Sequence, residues 1–260
     1  MLAAALKARL QEKQLTLGPI MTFDFWPGYL EIFKQVGMHF ALLDMEHGSA
    51  DLKAAEELCR TARLLNFPLI LRPEASVYHL IRKYLDMGPS GIMTPWTERQ
   101  EQVDALHDAV FTPPRGRRGP GGPAIFHNRS LDRQGWDEVE ENLFLMPQIE
   151  SPSGLASMET LLAPDWIDAV MLGPYDLSVN LGHAGQMDHP EVVAAIEQVH
   201  AKAAKLRKPC GMVVGTPEQA KFWIERGFYF FLCSEVSVMV RTQAKWLLER
   251  IQELLAGGGT

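Results

Sequence analysis

The stretch Leu42 to Gly48, LLDMEHG, closes an apolar run with Asp44, Glu46, His47 and a glycine. Two carboxylates and an imidazole beside a hydrophobic strand are costly unless something binds or ionises them. Other apolar runs end in the same manner: Arg72 in LILRP, Gln148 and Glu150 in LFLMPQIE, Asp176 just past GPY, and Ser234 and Glu235 in FYFFLCSE. Glu150 and Asp176, each where a helix begins, read singly as acids favoured by the helix dipole. Taken together, at neighbouring strand ends, they can hold a hard divalent cation with water in the remaining octahedral positions. Arg72 suits bidentate binding of a carboxylate or a developing oxyanion, or an ion pair with Asp44 or Glu46. Beside such groups His47 becomes the best general base, because imidazole exchanges protons near neutral pH. Asp44 and Glu46 point the same way on an extended chain, so either can orient His47 or a metal-bound water.

Two further features leave alternatives open. Asp86, in YLDMG, meets the unfavourable end of a helix dipole and needs a partner. That partner is Arg82 or Lys83 in one reading, and His47, made more basic by the contact, in the other. The RGRRG segment, Arg115 to Gly119, concentrates three arginines in an acidic protein. It reads as an oligomer contact or a clamp over an anionic substrate more readily than as a solvated loop.

These groups need elements to carry them. After a first helix, β-rich runs alternate with helical patterns, and the strands are expected at 20–25, 40–45, 68–73, 91–95, 143–150, 167–174, 210–215 and 228–234. Helical patterns such as ADLKAAEELCRTARLLN and TPEQAKFWIERG lie between them, with a last helix from about 235 to 255. Eight such pairs point to an α/β fold, a (β/α)8 TIM barrel with an extra N-terminal helix, as one domain over 1–260. An open doubly wound sheet is the alternative. Against it, no GxGxxG follows the first strand and no GxxxxGK[ST] occurs. The one long irregular segment is PPRGRRGPGGPAIFHNRS, 113–130.

Composition narrows the function. The net charge of −7 opposes general attraction to nucleic acid or anionic membrane, leaving small molecules and protein as partners. No apolar run approaches the roughly 20 residues of a membrane helix, and the N-terminal MLAAALKARLQEKQ has helical rather than signal-peptide spacing. Three dispersed cysteines suggest neither a disulfide framework nor a thiolate zinc site, so a cytoplasmic location is expected. The sequon at Asn128 is a chance match. All ten lysines fall in helical or helix-flanking segments, which argues against a Schiff-base lysine inside the barrel.

The chain resembles the HpcH/HpaI aldolases, metal-dependent pyruvate aldolases on a (β/α)8 barrel, over nearly its whole length. The matching segments, in order, are DMEHG (44–48), LRP (71–73), LDMGPSGIMTP (85–95), PPRGRRG (113–119), PQIESPSG (147–154) and DAVMLGPYDLSVNLG (168–182). The resemblance implies that His47 accepts the proton, Asp86 supports its basicity and Arg72 stabilises the transition state. It implies that Glu150 and Asp176 bind Mg²⁺, Mn²⁺ or Co²⁺, and that Gln148 and the backbone around Tyr175 and Asp176 place a 2-oxo acid. The expected reaction is reversible cleavage of a 4-hydroxy-2-oxo acid to pyruvate, or a related 2-oxo acid, and an aldehyde. A hexamer is implied as well, with the last helix packing on a neighbour. Tyr175 stands where the family commonly has alanine, and Glu235 where it often has aspartate. Substrate scope should therefore turn on Tyr175. The alternatives are a CoA-thioester lyase of the citrate-lyase β or malyl-CoA type, and a non-catalytic oxo-acid-binding barrel.

Overall fold

A computed structural model describes residues 2–119 and 130–257. Most of the long irregular segment and the sequon at Asn128 lie outside the described residues. The eight strands are β1 (Thr16–Met21), β2 (Ala41–Asp44), β3 (Leu69–Arg72), β4 (Gly91–Thr94), β5 (Phe144–Ile149), β6 (Val170–Leu172), β7 (Cys210–Val214) and β8 (Phe230–Glu235). All neighbours pair parallel, and β8 closes on β1, which excludes the open sheet. Eleven helices are seen among the described residues: α1 (Leu2–Gln11), α2 (Gly28–Gln35), α3 (Leu52–Leu65), α4 (Tyr78–Leu85), α5 (Gln100–Val110), α6 (Arg133–Glu141), α7 (Pro152–Leu161), α8 (Pro174–Asn180), α9 (Pro190–Lys205), α10 (Pro217–Ile224) and α11 (Val236–Gly257). The expected (β/α)8 barrel with an extra N-terminal helix is the fold observed.

Parallel strands covered on both faces read as continuous apolar runs, and β2, β3, β4 and β5 are buried throughout. Alternation within each strand still separates two cores. Leu42, Ile70, Met146 and Met171 meet inside the barrel, whereas Leu43, Leu71 and Leu145 pack outward against helices. The inner core includes Ala3, Leu6 and Leu10 of α1, grouped with Phe40, Phe144 and Phe230 at the strand starts. The first helix thus stoppers the N-terminal end of the barrel, and a Lys7–Asp168 ion pair of 2.9 Å fastens it.

One strand is misplaced by the sequence pattern. The first runs over 16–21 rather than 20–25, because LGP reads as a turn while here it is strand. Gly18 is required by close packing, since a Cβ there would lie 2.6 Å from the Phe40 ring. Pro19 is tolerated where the β1–β8 register shifts between Gly18 and Ile20, so its missing N–H interrupts little.

Candidate active site

The side chains that follow the inner apolar row lie at the C-terminal mouth. Two residues beyond Leu42, Ile70 and Met146 come Asp44, Arg72 and Gln148, and two beyond Gln148 comes Glu150, so strand period alone turns all four inward. Register then pairs them: Asp44 sits directly across from Arg72 on β2 and β3. The Arg72 guanidinium makes a fork on Asp44, with Nε donating to Oδ1 at 2.9 Å and Nη2 to Oδ2 at 2.7 Å. Its Nη1 donates to Gln148 Oε1 at 3.1 Å and lies 3.1 Å from Glu46 Oε2. Gln148 passes the connection on, its Nε2 donating to Glu150 Oε2 at 2.7 Å. Of the two readings of Arg72, the ion pair with both acids is present, and it fixes the guanidinium plane at the mouth.

Asp44 is saturated by the fork, the Thr22 hydroxyl at 3.2 Å and the Glu46 backbone N–H at 3.0 Å. It positions Arg72 and does not orient His47. Glu46 stands beside His47 instead, with 3.6 Å between Oε2 and Nε2. His47 is 56% exposed at its side chain, open to a ligand entering the mouth. Glu150 accepts a second hydrogen bond, 2.9 Å long, from the backbone N–H of Trp96. It needs room on its other side, and Gly173 provides it: a Cβ there would lie 2.5 Å from Glu150 Oε2. Asp176 is in the first turn of α8, and Tyr175, next to it, is exposed.

The electrostatics call for a counter-charge. Burial pushes the Asp44 carboxyl up, but the Arg72 fork overcomes this and holds it below the usual range. Burial raises Glu150 to about 7, and the charges of Asp176 and Glu46 add to the rise while the Trp96 N–H and Arg72 oppose it. Burial likewise raises Glu46 against the pull of Arg72. Glu46 Oε2 is buried and accepts no hydrogen bond, although Arg72 is near. Asp44, Glu46 and Glu150 therefore share one guanidinium, with Asp176 close enough to repel the two glutamates and an orphaned oxygen among them. Such an all-oxygen set fits a hard divalent cation that keeps several waters. The ligand atoms of Glu46, Glu150 and Asp176 are not drawn together as tightly as those of His183, His189 and Glu191, which among the described residues lie within 4.8 Å of one another. There the His183–Glu191 contact of 2.7 Å and the capping of α9 by His189 account for the cluster as local packing.

A pattern spanning most of the chain decides what this mouth belongs to: the HpcH/HpaI aldolase/citrate lyase family matches over residues 25–231. The chain belongs to the HpcH/HpaI family. A hydroxypyruvate/pyruvate aldolase of Pseudomonas aeruginosa is 32% identical over 234 residues, which is 89% of this chain and 84% of the relative. A 2-dehydro-3,6-dideoxy-6-sulfogluconate aldolase of Pseudomonas putida is 31% identical over 223 residues, 84% and 86% of the two chains. The crystal structure of an HpcH/HpaI aldolase from Desulfitobacterium hafniense DCB-2 superposes with a TM-score of 0.87 at 25% identity, covering 95% of this chain and 96% of that one.

The contact between Asp86 and His47 that the resemblance implies is not made within one chain. No hydrogen bond or ion pair joins Asp86 to His47 within the described residues. Asp86 caps the C-terminus of α4, ahead of β4, whereas His47 follows the last residue of β2, so the two lie toward opposite ends of the barrel. Its neighbours are Arg82 and Arg118, each at 3.6 Å, and its Oδ1 is buried without a hydrogen bond. Nor are the RGRRG arginines clamped over the mouth. Arg115 pairs with Glu140 at 3.2 Å, Arg117 with Asp108 at 3.4 Å, and Arg118 is buried against Asp86. Glu235 turns to the first turn of α11, accepting from the Ser237 N–H at 2.7 Å. Sequence reasoning missed Thr22 and Trp96, whose contributions are a hydroxyl across two strands and a backbone N–H, neither of which leaves a motif.

Proposed function

We propose that this barrel is a divalent-metal-dependent aldolase, a carbon–carbon lyase that cleaves 4-hydroxy-2-oxo acids to pyruvate, or a related 2-oxo acid, and an aldehyde, and runs the addition in reverse. The observation that carries the reading is the Asp44–Arg72–Gln148–Glu150 chain of hydrogen bonds at the mouth, in a member of a family whose relatives are named aldolases. Glu150 and Asp176 would hold Mg²⁺, Mn²⁺ or Co²⁺, and the ion when bound supplies Lewis-acid polarisation of the 2-oxo group. Arg72 has one Nη2 hydrogen left over from its partners, and this meets the oxygen that becomes enolate. His47 takes the proton of the C4 hydroxyl as the C3–C4 pair moves to C3, and returns it in synthesis. Glu46 holds the imidazole toward that proton, and Gln148 keeps Arg72 and Glu150 in fixed relation. No lysine lies on a strand, so the carbonyl is activated without a Schiff base.

The test is exchange of the pyruvate methyl protons with deuterated solvent, followed by NMR. Exchange is expected with metal and should fall at least about 100-fold in chelator, and borohydride with pyruvate should trap no adduct. Full exchange in chelator, or a trapped adduct, would overturn the reading.

We assign an assembly interface to α11. Val236 is buried and Met239 packs on the core, but from Val240 onward the helix is exposed, including Trp246, Leu247, Leu248, Ile251 and Leu254. No helix among the described residues is long and apolar enough to cross a membrane, so a second copy of the chain is the partner we assign to this face. A hexamer is the form implied by the resemblance. We propose that Asp86 supports the basicity of His47 from a neighbouring copy, since within one chain its neighbours are Arg82 and Arg118. Leu247→Asp together with Leu254→Asp should shift the protein to monomer in sedimentation velocity and lower its activity at every substrate concentration. An oligomer unchanged by both substitutions would refute the interface. The unpaired Cys59, Cys210 and Cys233 support a reducing compartment, the cytoplasm.

A further inference from the structure

The segments joining strands to helices at the mouth are rich in acids and rings and poor in cations. Among the described residues, the only lysine or arginine on them is Arg99, exposed where α5 begins. They carry Asp24, Glu46, Asp51, Glu74, Glu98 and Glu150. Arg72, just inside, is occupied by Asp44, Glu46 and Gln148. An aldehyde with a terminal carboxylate, phosphate or sulfonate would enter a negative field and find no free counter-ion among the described residues of the inner face.

Aromatic side chains stand there instead. Phe23 and Trp26 follow β1, Trp96 follows β4 and Tyr175 opens α8, and they are 62%, 61%, 38% and 58% exposed. Trp96 and Tyr175 flank the end of β5. The backbone N–H of Trp96 reaches Glu150 Oε1 from one side, and Gly173, two residues before Tyr175, abuts Glu150 Oε2 from the other. Trp96 holds φ at +45°, a left-handed conformation that is strained for a bulky residue. A local network holds it there. Gln102 Nε2 donates to the Trp96 carbonyl at 2.7 Å, while Gln102 Oε1 accepts from the Glu98 and Arg99 N–H groups at 2.8 and 3.0 Å. Strain at a bulky, solvent-open ring beside the reacting groups is a feature expected of a substrate contact. The Tyr175 hydroxyl has no hydrogen-bond partner among the described residues, and the ring has Gly185 beside it.

We propose that the acceptor is an uncharged aldehyde with an apolar or aromatic body, seated between Trp96 and Tyr175. This rests on the aldolase reading above. In synthesis the 2-oxo acid gives a methyl proton to base, and the freed pair forms the new bond to the aldehyde carbon. The carbonyl π pair moves to oxygen, which takes up a proton, so nothing is oxidised or reduced. The rings take the apolar surface of the aldehyde chain out of water.

Butanal and 4-oxobutanoate are a matched pair, equal in carbon number and differing in the terminal carboxylate. With Mn²⁺-loaded protein and pyruvate, kcat/KM for butanal is expected to exceed that for 4-oxobutanoate at least tenfold. The ratio should fall in Trp96→Gly, which accepts the left-handed backbone but lacks the ring, and in Tyr175→Ala. Because the ratio is the readout, a loss common to both aldehydes cancels. Pyruvate proton exchange in the parent protein separates the two readings. Exchange with equal or better use of 4-oxobutanoate would overturn the acceptor class alone, and a ratio unmoved in both variants would remove the rings from the site. Absence of exchange with any divalent ion would bring down the aldolase reading and this one with it.

Discussion

Arg72→Ala is expected to cost both turnover and stability. The guanidinium is the sole cation inside the mouth among the described residues, and loss of a single oxyanion donor costs about 10²–10³ in rate. The same change leaves Asp44 buried at 1% exposure with only the Thr22 hydroxyl and the Glu46 N–H, without its countercharge. Removing one partner of a buried pair costs about 3–5 kcal/mol, because the remaining charge has lost its compensation. Arg72→Lys should separate the two effects. An ammonium restores charge near Asp44 but cannot span both Oδ atoms and Gln148 together, so stability should recover further than rate. Urea unfolding and pyruvate proton exchange measure the pair of outcomes. An Arg72→Lys protein within tenfold of the parent rate would show that charge suffices and that the fork geometry is not what the reaction uses.

Glu150→Gln and Asp176→Asn should each abolish stabilisation by metal. For the parent, Mn²⁺ at about 100 times its dissociation constant should add about 2.7 kcal/mol to folding stability, visible as a rise in Tm. Each variant should weaken binding about 100-fold or more, so that at the same concentration the rise all but vanishes. The metal-free proteins should behave in the opposite sense. Glu150→Gln would forfeit one of the two hydrogen bonds that the Trp96 N–H and Gln148 Nε2 donate to the carboxylate, whereas Asp176→Asn removes repulsion of Glu150 and Glu46 without that loss. Metal-free Asp176→Asn should therefore unfold at the same temperature as the metal-free parent or a higher one. Calorimetry with and without Mn²⁺ tests both signs. A variant that binds Mn²⁺ as tightly as the parent would exclude Glu150 or Asp176, whichever was changed, as a ligand.

The relation between sequence and site differs from residue to residue. Asp44, Arg72, Gln148 and Glu150 were legible because each follows an apolar strand, and the period of two carries the inner row on to them. That they form one hydrogen-bonded chain was not legible, because it depends on register: Asp44 meets Arg72 only because β2 and β3 pair with those residues opposed. Asp86 shows the limit of motif transfer. Its place in LDMG was read correctly as a helix end, but the side of the barrel on which that end lies is set by the antiparallel return of α4, which no local signal records.

By itself, the sequence determined the eight alternating elements, the first helix ahead of them, the apolar strand bodies and the residue types at the mouth. These follow from local periodicity and from the cost of burying polar groups, both of which act over a few residues. Tertiary structure alone decided where β1 begins, since Gly18 and Pro19 look like a turn until Phe40 packs on one and a register shift accommodates the other. It also decided that Arg72 is committed to Asp44, that Trp96 takes a left-handed turn to reach Glu150, and that α11 leaves its own barrel bare-faced. Each of these depends on groups brought together across the closed barrel or left without a partner by it, and such distances are properties of the closed sheet rather than of any stretch of chain.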